Sequence, residues 1–166
     1  GPQEHGYSLT LGQVEAMLDA FVRAEGEPES VQFSGGEPSI HPEILGMLGA
    51  AKERGIELVM LNTNGIRLAR DPRFAPALAE LGVHVYLQFD GFDDATQVAI
   101  RGRSLTEEKL RALERCADAG VSVSLAAAVE RGMNEHEVGP IVRFGVEHPA
   151  VTGAFFQPVT HSGRFR

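Results

Sequence analysis

Two rhythms alternate along this chain. Stretches with apolar residues three or four apart, the spacing of one helical face, are separated by short apolar runs bounded by glycine, proline or asparagine, which read as buried strands. Thr10-Leu11-Gly12-Gln13 opens the first helix as a capping box, and Val14, Met17, Leu18, Phe21 and Val22 follow at helical spacing. The first strand, 31–34, runs into Gly35-Gly36-Glu37-Pro38. Pro42 marks a helix start before Ile44, Leu45, Leu48 and Ala51, and Gly55 ends that helix. A second strand, 56–62, closes on the turn Thr63-Asn64-Gly65. Asp71-Pro72 starts a third helix carrying Phe74, Leu78 and Leu81, which Gly82 stops. The third strand, 83–89, ends at Asp90-Gly91. Ser104-Leu105-Thr106-Glu107 reads as a second capping box, ahead of Leu110, Leu113, Cys116 and Ala117, with Gly120 as the helix cap. The fourth strand is 121–129. Asn134-Glu135-His136-Glu137 opens a helix whose apolar side is Val138, Ile141, Val142 and Val146, and the fifth strand, 151–157, ends at Pro158.

Strands alternating with helices imply parallel β-α units joined by right-handed crossovers. The fold class is therefore α/β, as a barrel-like (β/α) array or as an open doubly wound sheet. No low-complexity stretch or linker divides residues 1–166, so they read as one unit. No GxGxxG loop follows a strand, which removes the usual dinucleotide fingerprint. In either architecture active sites gather at the C-terminal ends of the strands. The polar signals fall there: Gly35, Gly36, Glu37 and Pro38 after the first strand, Asn62 and Asn64 at the second, Gln88 and Asp90 at the third, then Glu130 and Gln157.

The first of these corners has a chemistry of its own. Two glycines at a strand end allow a sharp turn and a close approach of a ligand to the main chain. Glu37 adds a negative acceptor, and Pro38 stiffens the corner. Such a corner suits a ligand ammonium group; it is equally a tight strand-to-helix turn with an incidental glutamate. Gln88 and Asp90 keep a strand period and share a face. Asn64-Gly65 also reads as a plain turn, Asp90 as a brace for the loop at Gly91, and Asn134 with Glu137 as a helix cap. Arg101 pairs with a carboxylate ligand or with Asp93 or Asp94.

Net charge changes the picture of partners. The 166 residues carry 15 basic and 23 acidic side chains, a formal charge of −8, and no basic stripe, which argues against nucleic acid. No segment is long and apolar enough to span a membrane and no signal peptide is present, so a cytoplasmic protein is expected. The single cysteine, Cys116, excludes an internal disulfide framework and reads as a core thiol. His41, His84, His136 and His161 have no metal-ligand spacing, and no metal is assigned to the residues present.

The motifs together resemble the radical SAM superfamily. Gly35-Gly36-Glu37-Pro38 is similar to its GGEP motif, Leu61-Asn62-Thr63-Asn64-Gly65 to the strand end that follows, and Asp90-Gly91 with Arg101-Gly102 to the DG…RG element. Gly132-Met133-Asn134-Glu135-His136-Glu137 resembles the G-x-N-x-x-E after the next strand, and Gln157-Pro158-Val159 with Gly163-Arg164 resembles members related to tetraether lipid synthase. The resemblance implies five sequential strands of an open (β/α)6 barrel, a partial TIM barrel. It implies two cofactors, S-adenosylmethionine and a [4Fe–4S] cluster, with the methionyl ammonium at Gly35, Gly36, Glu37 and Pro38. Asn62, Asn64, Gln88 and Asp90 would contact ribose or substrate. In related enzymes a polar side chain from the fourth strand often reaches the ribose; here Ser122 and Ser124 are followed by alanines 126 to 128.

The family's chemistry is reductive cleavage of S-adenosylmethionine to a 5′-deoxyadenosyl radical, which takes a hydrogen atom from a substrate. The family's CxxxCxxC cluster motif, and the strand before it, are absent from these residues. The expectation is an inactive fragment of a longer enzyme, missing an upstream strand and the cluster loop, with its first strand an exposed edge open to self-association. The alternative is a cluster-free nucleotide- or protein-binding module without catalysis. The substrate stays open.

Overall fold

The computed structural model describes residues 8–94, 97, 98, 102 and 104–159. Arg101, His161 and the Gly163-Arg164 pair lie outside the described residues. The chain begins with α1 (Leu11–Glu25), whose capping box forms: Thr10 Oγ1 accepts from Gln13 N, and the Gln13 side chain reaches back to Thr10 N. Then come β1 (Ser30–Phe33), a 3-10 turn over Pro38–Ile40, α2 (Ile44–Glu53) and β2 (Leu58–Thr63). α3 (Ile66–Arg70) and α4 (Phe74–Glu80) lead to β3 (His84–Gln88). α5 (Thr106–Ala119), β4 (Val123–Val129), a 3-10 turn over Glu135–Glu137, α6 (Val138–Glu147) and β5 (Val151–Pro158) complete the order.

The strands form one parallel sheet in the order β1-β2-β3-β4-β5, the partial (β/α) barrel that the sequence implies. Alternation along each strand divides its side chains between two faces. One set, Val59, Leu61, Val85, Leu87, Val123 and Leu125, is fully buried and packs with Leu48, Leu68, Phe74, Leu78 and Leu113 of the helices. The other set is polar or mixed: Met60, Asn62, His84, Tyr86 and Gln88 are only half-buried. Parallel sheets normally have both faces covered. A sheet with helices on one face and polar side chains on the other is the wall of a barrel seen from inside. Because each connection returns the chain to the same end, every strand delivers its C-terminal residues to one rim.

Two local details differ from the sequence reading. The helix after Asp71-Pro72 forms as α4, but a short helix that the pattern does not give, α3, precedes it, and at its start Asn64 Oδ1 accepts from Ile66 N at 2.9 Å. Asp71, preceding proline, is extended (φ −101°, ψ 106°) and breaks the run, as the residue before proline tends to. The second capping box does not form either. The helix starts at Thr106 with Leu105 as the capping residue, and the Ser104 and Thr106 hydroxyls both donate to Asp94 Oδ1. Those two bonds hold the exposed Asp94 carboxyl below its ordinary range.

Candidate functional site

The rim is built outward from Glu37. Gly35 (φ +99°) and Gly36 (φ +48°) take left-handed backbone, so the chain leaves β1 in a turn that other residues resist. A Cβ at either position would meet nothing within 4 Å, so the loop borders open space. Glu37 turns back toward the sheet. Its Oε1 accepts from Ser39 Oγ (2.6 Å), Thr63 Oγ1 (2.7 Å) and Ser39 N (3.2 Å), and its Oε2 accepts from Asn64 N (2.7 Å). Ser39 and Thr63 are fully buried, and the carbonyl of Ser39 takes a bond from Arg67 Nη1 at 2.5 Å. Arg67 in turn stacks over Phe74, 4.1 Å from the ring centre. One carboxylate thus ties the β1 loop to the end of β2. A carboxylate oxygen has two lone pairs, and Oε2 holds one donor, so it keeps an acceptor position.

The other anticipated residues sit along the same rim. Asn64 lies beside Glu37, its side-chain carbonyl accepting from Ile66 N in the turn that leads into α3. Asn62 and Gln88 face each other on the open side of the sheet, Gln88 Nε2 donating to Asn62 Oδ1 at 3.4 Å. Asp90 is fully buried, and its Oδ1 accepts from Ala128 N at 2.8 Å, bracing β3 to β4. Asn134 closes the same junction, donating to the carbonyls of Asp90 (3.0 Å) and Ala128 (2.7 Å) and accepting from Glu130 N (2.8 Å). Its side chain is a clamp between strand ends and not the helix cap that its spacing from Glu137 suggests; Glu137 instead accepts from Asp93 N at 2.8 Å. The sequence did not single out Ser39 or Arg67. Ser39 is local to Glu37 but lies outside the motif, and only the fold brings Arg67 to the Ser39 carbonyl.

Beside β1 and this loop runs an open cleft of about 1130 Å³, lined by Met17 and Phe21 of α1, Val31 and Phe33 of β1, and Ile40 and Met47. Its walls are mostly apolar, and among the described residues β1 has a strand on one side only.

The family model described as the Radical SAM superfamily matches residues 1–145. The chain belongs to the radical SAM superfamily. It is similar to a 7,8-dihydro-6-hydroxymethylpterin dimethyltransferase of Methanocaldococcus jannaschii, 33% identical over 161 residues, with 95% of this chain and 32% of that protein covered. It is 35% identical to a GTP 3′,8-cyclase of Chlorobaculum tepidum over 121 residues, covering 71% of this chain and 36% of that one. Among solved structures, anSMEcpe with bound AdoMet superposes with a TM-score of 0.73 at 18% identity, covering 99% of this chain and 48% of the other. A domain of pyruvate-formate lyase-activating enzyme from Bacteroides vulgatus gives a TM-score of 0.60 at 21% identity, covering 73% of this chain and 74% of that one. At those identities the superpositions show a shared fold. The chain spans about a third of the length of these two curated relatives.

The family's two cofactors fit these residues differently. The donor set at Glu37 suits an ammonium: a carboxylate with an acceptor position left, at a glycine loop bordering open space. A [4Fe–4S] cluster is held by cysteine thiolates. The chain has Cys116 alone, 1% exposed on α5. Burial pushes its thiol up to about 12, far from the thiolate a metal needs. The residues of this chain do not fit a cluster.

Proposed function

We propose that this chain is the part of a radical SAM enzyme that holds the methionyl end of S-adenosylmethionine, and that residues 1–166 are one partial barrel, with cluster thiolates supplied from elsewhere in a longer protein. The whole protein cleaves the cofactor reductively to a 5′-deoxyadenosyl radical that abstracts hydrogen from its substrate. The radical chemistry belongs to the cofactors; the chain binds, orients and excludes water.

The observation that carries this reading is the carboxylate of Glu37. Four donors fix it at the rim, and Oε2 keeps its second lone pair. Gly35 and Gly36 shape the approach and Pro38 starts the turn that supplies Ser39. Asn62, Asn64 and Gln88 form the polar surround of the cofactor, and Asp90 sets the spacing of β3 and β4 beneath it. A cytoplasmic setting accords with the cofactor's sensitivity to oxidation, and no helix among the described residues is long and apolar enough to cross a membrane. In the isolated chain, β1 offers its outer edge to a second copy.

The test is Glu37→Gln in the whole protein, with S-adenosylmethionine affinity measured by calorimetry. Losing a charge-assisted contact of about 1.5–3 kcal/mol weakens binding roughly 10- to 150-fold. Ser39→Ala is the control: it removes one bond to Glu37 but no charge, so it lowers the melting temperature with a much smaller change in affinity. Unchanged affinity in Glu37→Gln would reduce Glu37 to a turn residue.

A further inference from the structure

Half of the donors on Glu37 come from one residue. Ser39 gives Oε1 both its N–H (3.2 Å) and its hydroxyl (2.6 Å), so the place of Ser39 decides where the carboxylate points. The turn that carries Ser39 is slight. Residues Pro38–Ile40 make a single 3-10 turn, closed by Ile40 N on the Glu37 carbonyl at 3.3 Å and His41 N on the Pro38 carbonyl at 3.0 Å. Bonds of that type have poorer geometry than those of an α-helix, and one turn has no neighbours to reinforce it. Gly35 and Gly36 precede the turn with open space around them. Ile40 within it is 75% exposed, so its side chain does not anchor the turn to the core.

Arg67 supplies a hold from outside the turn. Reaching from α3, its Nη1 donates to the Ser39 carbonyl at 2.5 Å. The same guanidinium lies over the ring of Phe74, 4.1 Å from its centre, and that ring is buried in the core. Its Nε stands 3.9 Å from Asp71 Oδ2, a long ion pair. A guanidinium is planar and carries several N–H groups, so it rests on an aromatic face and donates sideways together. Phe74, Arg67, Ser39 and Glu37 thus form a continuous chain of contacts from the core to the rim. Among the described residues Arg67 makes no hydrogen bond or ion pair to Glu37 itself, so its influence on the carboxylate passes through Ser39.

We infer that Arg67 is a positioning residue for ammonium binding: by holding the Ser39 carbonyl it fixes the turn that aims Glu37, and so keeps the spare acceptor position of Oε2 presented to the ligand. The inference rests on the reading of Glu37 as the ammonium acceptor. It assigns Arg67 no contact with the ligand.

The experiment uses the complete protein, with S-adenosylmethionine affinity from calorimetry and backbone amide exchange, without cofactor, from mass spectrometry. Arg67→Met keeps an unbranched stem against Phe74 and removes the donor. It weakens binding about three- to tenfold, the worth of one net hydrogen bond. It also speeds exchange in the segment 37–42, where the Ser39, Ile40 and His41 N–H groups close the turn, and leaves exchange in β2 unchanged. Arg67→Lys, which restores one donor, recovers part of both effects. Arg70→Met removes the same charge from the same helix, at an exposed residue paired with Glu108, and changes neither readout. In a Glu37→Gln background Arg67→Met costs less than about a further twofold, because its route to the ligand is already cut. Unchanged exchange in segment 37–42, or an equal loss of affinity in both backgrounds, would overturn the role of Arg67. Unchanged affinity in Glu37→Gln alone would instead overturn the ammonium reading, and the exchange comparison, which needs no cofactor, tells the two failures apart.

Discussion

Glu37 does two jobs with one carboxylate. Its four accepted bonds are structural, and its remaining lone pair is what a ligand could use. The motif around it made the glutamate visible in the sequence, but not the hydroxyls that aim it: Ser39 lies two residues on, outside the motif, and Thr63 reaches it across 26 residues from the end of the neighbouring strand. Cys116 shows the opposite balance. Its place on the apolar side of a helix already marked it as a core thiol, and the structure puts it at 1% exposure with a pKa raised to about 12 by burial. Two consequences follow for the folded chain. A thiol reagent at neutral pH modifies Cys116 only after denaturation. The folded state also holds this proton more tightly than the unfolded state, whose thiol ionises near 9. The stabilisation is therefore complete below pH 9 and is lost as pH rises from 9 toward 12. Denaturant melts of the chain and of Cys116→Ala across that window check it: the gap between them narrows as pH rises, and a constant gap would show that the thiol is not protected.

At the scale of elements, periodicity located all five strands because each outer-facing set is continuously apolar, with Val59, Leu61, Val85, Leu87, Val123 and Leu125 essentially inaccessible. Helix starts were less legible. Thr10 caps its helix because its hydroxyl has no rival partner, whereas Ser104 gives its hydroxyl to Asp94 and Asn134 gives its amide to the ends of β3 and β4. Such competition is set by tertiary neighbours and leaves no trace in local spacing. The Asn64-Gly65 turn is a case where a local signal understated its role. Gly65 has φ +85°, and a Cβ there would sit 2.8 Å from Leu87 Cδ1 and 3.4 Å from Ala112 Cβ. Gly65→Ala must strain the backbone and push β3 from α5 together. It should destabilise the chain by about 2–4 kcal/mol, read as a shifted urea midpoint with an unchanged slope. A shift under 1 kcal/mol, on the same scale, would mean that the turn relaxes freely. The free edge of β1 supports a different expectation. Sedimentation of the isolated chain should show concentration-dependent association, and Val31→Lys, which places a charge on that edge strand, should reduce it. A monomer at all concentrations would sink the edge-pairing proposal.

At the scale of the whole molecule, the barrel wall, the rim and the loop at Glu37 are present, while the thiolates that the family's cluster requires are not among these residues. A cluster needs cysteine ligands, and Cys116 lies on α5 with its thiol buried and protonated. Moving it to the rim would require unpacking Leu113 and the helix around it. On the proposed reading the methionyl ammonium meets Glu37 at one acceptor position, a weak hold without a cluster beside it. The 166-residue chain treated anaerobically with iron and sulfide should therefore stay colourless. It should bind S-adenosylmethionine weakly or not at all, and form no 5′-deoxyadenosine with dithionite. The product of the complete coding sequence, treated in the same way, should turn brown and release 5′-deoxyadenosine. Absorbance near the visible charge-transfer band and chromatography of the nucleoside products read both outcomes. A stoichiometric cluster on the 166 residues would overturn the assignment of the ligands to other parts of the protein. A complete product that takes up no cluster would overturn the enzyme reading, and leave a cluster-free module whose Glu37 loop binds some other ammonium-bearing ligand.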